Sequence, residues 1–252
     1  MLRPDTSNGS NILMRKFLKL LWLFSLCCTQ LRAAGDSTFD IRTNTLYLPA
    51  PQPFGRFHHA AGLVQVYLPH EWLEQSIAGP MLEYAATFSL PAGFGMAGSV
   101  RTLLVANEVR LGPYWNLALS DKFYIGTGIQ LGYGFGLLRE FGFNNTINVW
   151  DHRTHLRVGY TQGNVAVTVQ GRMDWLINTR LGLRRYSTES VTGAPFNGYS
   201  CGLFVEQRIS RQKSVCFGFI ANFNKFHILG WPALMIADRQ FFIPEINIAF
   251  QF

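Results

Sequence analysis

The stretch Phe123 to Leu137 reads FYIGTGIQLGYGFGL. Its odd positions, Phe123, Ile125, Thr127, Ile129, Leu131, Tyr133, Phe135 and Leu137, are apolar apart from the one threonine. The even positions after Tyr124 are Gly126, Gly128, Gln130, Gly132, Gly134 and Gly136. Side chains that alternate with a period of two point to opposite faces of a β-strand. One face is therefore a continuous apolar row, and the other is bare backbone broken only by Gln130. A strand in a soluble sandwich runs about five or six residues. An alternation of about fifteen predicts instead a barrel wall whose apolar row faces lipid.

The neighbouring segments give the register. Met81 to Leu90 alternates Leu82, Tyr84, Ala86 and Phe88 against Glu83, Ala85, Thr87 and Ser89, and Pro91-Ala92-Gly93 supplies a three-residue turn into Phe94 to Val105. Pairing Leu90 with Phe94 sets Glu83 opposite Arg101 on the polar face, and Tyr84 opposite Val100 and Phe88 opposite Met96 on the apolar one. An ion pair appears without having been built in, which supports the register. Asn107 to Leu119 then presents Val109, Leu111, Trp115 and Leu117 outward, with Arg110 and Tyr114 inward. Through the short turn Ser120-Asp121-Lys122, Tyr114 lies against Gly128 and Arg110 against Gly132, large residues covering bare strand. Further on, Gly163-Asn164 is a two-residue hairpin signal between His152 to Gln162 and Val165 to Ile177. It pairs Arg153 with Asp174, His155 with Arg172, and Arg157 with Gln170, again bringing opposite signs together inside.

The remaining strands follow the same rhythm. Asn197 to Ile209 turns Glu206 and Arg208 inward and Cys201 outward, whereas Ser214 to Phe226 turns Cys216 inward. The two cysteines are therefore not expected to bond, although a secreted context alone suggests a disulfide. The last segment, Phe242 to Phe252, places Glu245 inward. Leu138 to Trp150, Asn178 to Phe196 and His227 to Gln240 read as longer outer loops, Pro69 to Gly79 as a further one, and the proline-containing residues 36–56 as an N-terminal periplasmic segment forming either a short edge or a plug. The sum is an all-β chain, one antiparallel transmembrane barrel of about ten strands (range eight to twelve) over residues 57–252.

Upstream, Arg15, Lys16 and Lys19 precede the apolar run Leu20 to Cys28, and Ala33-Ala34-Gly35 offers a cleavage site before Asp36. That is the pattern of a secretory signal peptide, with Met14 the expected start and residues 1–13 an upstream extension. Cys27 and Cys28 lack the small preceding residue of a lipid-anchor site. The leader carries +4 of the formal charge of +7, leaving +3 on the mature chain. The basic balance is thus poor evidence for nucleic-acid binding.

Taken together, the leader, the dyad alternation, the alternation of short turns with longer loops and the terminal IAFQF resemble a small outer-membrane β-barrel protein of Gram-negative bacteria. The resemblance spans nearly all of the mature chain. It implies an outer-membrane lipid environment and recognition of the strand ending in Phe252 by the insertion machinery. No subfamily motif stands out, so no functional residue carries over, and fold at this level does not specify activity.

The chemistry is weighed accordingly. His155 with Asp174 is the nearest approach to a catalytic pair, but the register gives Asp174 to Arg153, favouring a structural ion pair. His58 and His59 are adjacent on a strand and point apart, which disfavours a metal site. There is no Gly-x-Ser-x-Gly elbow and no phosphate-cradling loop, and no cofactor is implied. The expected function is a narrow or gated conduit, or a barrel binding a small solute or lipid. A non-enzymatic envelope component acting through its outer loops is the alternative, and an outer-membrane hydrolase is a more distant one. The glycines Gly126, Gly128, Gly132 and Gly134 leave a recess in the lumen wall, either filled by Arg110, Tyr114 and charges across the lumen or open to a solute.

Overall fold

The computed structural model describes residues 40–73, 77–138, 145–183, 186–191, 196–210, 213–233 and 239–252. The proposed leader and cleavage site lie outside the described residues. The strands are β1 (Phe57–Leu68), β2 (Ile77–Ser89), β3 (Phe94–Leu103), β4 (Ala106–Ala118), β5 (Phe123–Leu138), β6 (Asn145–Gln162), β7 (Val165–Leu183), β8 (Tyr186–Val191), β9 (Phe196–Arg208), β10 (Ser214–Asn224) and β11 (Phe241–Gln251). All pairings are antiparallel between neighbours, β7 pairs with β9, and β1 closes onto β11 from Ala60 opposite Gln251 to Val66 opposite Glu245. Ten strands thus form a closed wall. β8 folds back on the far end of β7 outside that circuit.

The sequence register holds pair by pair: Glu83 opposite Arg101, Tyr114 opposite Gly128, Arg110 opposite Gly132, and Arg153 opposite Asp174. Pro91-Ala92-Gly93 forms the expected turn, with Ala92 at φ 59° and Gly93 at φ 78°. Gly93 sits in the left-handed region for a second reason. A Cβ there would run into the Asn116 carbonyl.

Three expectations need correction, and one pair of alternatives is decided. Residues 145–150 are strand rather than loop, since β6 starts at Asn145 and β7 runs to Leu183. β3 and β4 join through a two-residue turn at Leu104 and Val105, so connections at that end are not uniformly long. The segment after Phe226 does not project outward. It makes a 3-10 turn over Ile228–Ala233, with Trp231 fully buried against Val66, Ile147, Val149 and Ile243. Of the two alternatives for the N-terminal segment, edge or plug, the described part takes the second. Residues 40–52 enter the barrel, packing Leu46 with Phe204, Cys216 and Ala249, and Leu48 and Ala50 with Tyr124 and Ala166.

Polarity is reversed relative to a soluble protein. Leu82, Leu111, Leu119, Leu131 and Leu156 are exposed on the outer face, while Glu83, Arg101, Arg110, Asp174 and Glu245 are buried inside. Aromatic contacts mark two levels of the wall. Phe123 meets Tyr160 at 4.9 Å near the short-turn end, and Tyr133 meets Trp150 at 4.7 Å toward the other. Ten residues separate Phe123 from Tyr133 on β5. That is roughly 33 Å of strand, or about 25 Å of height at a tilt near 40°, the span of an apolar band between girdles.

Candidate functional site: a charged belt between two plugs

From the short-turn end upward, the lumen contains the N-terminal plug, a belt of charge and an apolar cap. The plug is held by a wall carboxylate. Glu206 on β9 accepts hydrogen bonds from the backbone N–H groups of Leu46 (2.6 Å), Tyr47 (3.2 Å) and Leu48 (3.0 Å). A row of peptide donors folded round one anion forms a nest, and here the bends at Leu46 to Leu48 supply the donors while the wall supplies the anion. Tyr47 stacks on Phe204 with ring centroids 4.0 Å apart. Ser214 donates to the Asn44 carbonyl at 3.1 Å.

Above it, Arg101 donates to Glu83 at 2.9 Å and to Glu245 at 3.2 Å. Arg110 takes Asp151 with both terminal nitrogens, at 2.6 and 3.1 Å, and also bonds Glu108. Arg153 donates to Asp174 at 2.5 Å. Neutral groups join these pairs: Asn247 donates to Glu83 at 2.8 Å and Asn222 to Glu245 at 2.9 Å, while Arg172 donates to Asn222 and to Ser200, each at 2.7 Å. A side-chain network thus runs from β7 through β9, β10 and β11 to β3 and β2. Asn247 extends it to the Tyr47 hydroxyl at 3.2 Å. Charges taken this far from water persist where geometry and further hydrogen bonds compensate them.

The thirteen lumenal candidates read from the sequence all face inward or line the interior. Arg101, Arg110, Arg172, Asp174, Glu83, Glu206, Glu245, Arg208, Tyr114 and His155 are buried, and Gln130, Arg153 and Arg157 are half-buried. Sequence reasoning missed Glu108, Asp151, Asn222 and His227. Glu108 shares its face with Arg110 two residues on, so parity alone identifies it. His155 and Asp174 do not combine: Asp174 bonds Arg153, and His155 Nδ1 has no hydrogen-bond partner.

The glycine recess is occupied by the chain itself. A Cβ at Gly126 would stand 2.6 Å from Pro49, at Gly128 2.6 Å from the His155 ring, and at Gly132 2.5 Å from Asp151 and 2.8 Å from Arg110. At Gly134 it would stand 3.0 Å from Ile228, and at Gly136 2.5 Å from the Trp231 indole. The bare face of β5 is therefore a groove into which plug, belt and cap all fit, and a solute has no room against that backbone.

Among the described residues, small cavities flank the belt, one of about 40 Å³ above it beside Asn197, Asn224 and His227, another of about 60 Å³ below it beside Tyr47, Gln130 and Gln170. Arg101, Arg110 and Arg153 line both. Each cavity has room for roughly a water or a few. Apolar outside, polar and charged inside, and closed on itself, the wall fits only one setting. This is a ten-stranded antiparallel membrane barrel.

No family model matches the chain, and no curated protein matches it. Solved structures that resemble it include the NanC porin, at 9% identity over 77% of this chain and 98% of that one, with a TM-score of 0.41. Neisserial surface protein A matches at 9% identity over 77% and 95%, with a TM-score of 0.40. The translocator domain of the autotransporter NalP from Neisseria meningitidis matches at 8% identity over 99% of each chain, with a TM-score of 0.42. The barrel assignment here rests on the strand register and the polarity of the wall.

Proposed function

We propose that the protein is an integral barrel of the bacterial outer membrane and works as a narrow gated conduit for small solutes, here in its closed state. The observation that carries this reading is that neither closure belongs to the wall. Residues 40–52 pair with no strand, and the Glu206 carboxylate and apolar contacts hold them. The cap is held by Asn197, which donates to the Phe226 carbonyl and accepts its N–H, and by Trp231, which donates to the Val105 carbonyl at 3.2 Å. Both can move without breaking the barrel ladder. Between the apolar wall patches that receive cap and plug, their movement would expose the charged belt of Glu83, Arg101, Arg110, Asp174 and Glu245. A wall of ten strands falls well short of the sixteen or so that leave an open aqueous channel, so the cargo is small and passage is controlled. On this reading the leader is removed after Gly35, and the insertion machinery recognises the strand ending in Phe252. That strand seals the barrel against β1, with the Phe252 N–H bonded to the His59 carbonyl.

Single-channel recording in planar bilayers tests the proposal. The full chain should show rare, small openings, and Glu206→Gln should show them about tenfold more often, because hydrogen bonds to an ion exceed those to a neutral acceptor by about 1–1.5 kcal/mol. Silence from both chains, each verified as a folded barrel, would overturn the conduit and favour an envelope component acting through its loops.

A further inference from the structure

A guanidinium buried inside a protein is normally matched by an anion. Three arginines of the belt obey that rule, each with a carboxylate within 3.2 Å: Arg101, Arg110 and Arg153. Two do not. Arg172 is buried and spends its hydrogen bonds on neutral oxygens, those of Ser200 and Asn222. Arg157 stands over the Tyr47 ring with its guanidinium carbon 5.8 Å from the centroid, and its buried Nε finds no acceptor.

Both unmatched cations line the cavity of about 60 Å³ below the belt. Five guanidiniums reach that cavity, those of Arg101, Arg110, Arg153, Arg157 and Arg172, and Glu83 is its only acidic lining residue. Glu83 is already engaged, one oxygen by Arg101 and the other by Asn247. Gln130 on β5 and Gln170 on β7 add amide groups from the two strands flanking β6, and Gln170 is the register partner of Arg157. The lining is therefore strongly positive, rich in donors and nearly free of competing acceptors.

We propose that this cavity is a binding site for a small inorganic anion, a halide, held between Arg157 and Arg172 with the Gln130 and Gln170 amides donating to it. Size argues for a halide over an organic acid. A cavity of about 60 Å³ holds roughly a few water-sized bodies, which is too little for a sugar acid or a phosphate ester. The plug forms its floor through Leu46 and Tyr47, so a bound anion also joins wall to plug. The site stands whether or not the barrel conducts.

The test uses the full chain, refolded and purified in detergent. Thermal unfolding is followed in sodium bromide or chloride and, at matched ionic strength, in sodium gluconate, whose anion is too large for the cavity. The halides should raise the unfolding temperature saturably and gluconate should not. Arg157→Gln should weaken the halide dependence about tenfold or more, and in gluconate it should be no less stable than the parent, since an unmatched charge has gone. Lys122→Gln, at the exposed β4–β5 turn, should keep the full response. Equal behaviour in halide and gluconate, or an undiminished response in Arg157→Gln, would overturn the site. Crystals of the unmutated chain grown in bromide give a readout that needs no variant to fold. An anomalous peak between Arg157 and Arg172 is the expected result, and a cavity without one contradicts the proposal.

Discussion

Asp174 is matched to Arg153 at 2.5 Å inside the barrel, where Asp174 is buried. Removing one partner of a buried pair strands the other, at a cost of about 3–5 kcal/mol. Asp174→Asn should therefore lower urea resistance in lipid vesicles by that order, while Asp174→Leu combined with Arg153→Met should lose far less. Equal losses in the two chains would mean that the charge itself is not what matters. The cysteines give a second check on face assignment, since Cys201 is exposed on the outer wall and Cys216 is buried inside, both free. In the folded barrel a membrane-soluble maleimide should label Cys201 and spare Cys216, as mass spectrometry of the labelled peptides will show. These pairs and faces were legible in the sequence because turns of fixed length pin the register, and a period of two then assigns every side chain. Asp151 escaped because the segment before it was read as loop. In Asn145 to Trp150 the inward residues are Ile147 and Val149 and the outward ones include Asn148 and Trp150, so the usual sign of the alternation is inverted.

At the level of elements, that inversion has one cause, the cap. Trp231, Phe226 and Ile228 turn the upper lumen apolar, so Val64, Val66 and Met81 on β1 and β2 also face inward there. The sequence of β1 looks ambiguous for the same reason, because it faces lipid on one side and an apolar cap on the other. Nothing local in residues 227–233 shows that they fold inward, since the space that receives them is made by the bare face of β5. The glycine row of β5 makes a graded prediction. Gly132→Leu collides with Asp151 and Arg110 and should abolish the heat-modifiable folded band on electrophoresis. Gly171→Ala, on the outer face with nothing within 4 Å, should leave that band unchanged or slightly more heat-resistant. If Gly132→Leu folds as well as Gly171→Ala, the recess is not filled as described. Trp231→Ala removes a fully buried indole and should cost about 3–5 kcal/mol of barrel stability in urea titration.

For the whole molecule, the sequence carries the wall but not what fills it. Alternation, turn length and charge pairing are local or nearest-neighbour properties, whereas the plug meets Glu206 across about 160 positions of chain, at backbone groups that have no side-chain signature. The account stands on the plug being a removable stopper below a charged belt. Leu46 on the plug and Cys216 on β10 belong to one packed cluster, so Leu46→Cys supplies a partner with which the native thiol can be oxidised to lock plug to wall. The decisive measurement is single-channel current through that variant before and after oxidation, with cross-linking verified by mass. The account predicts that openings vanish when the bond forms and return on reduction. Openings of the same size and frequency through the cross-linked barrel would contradict it.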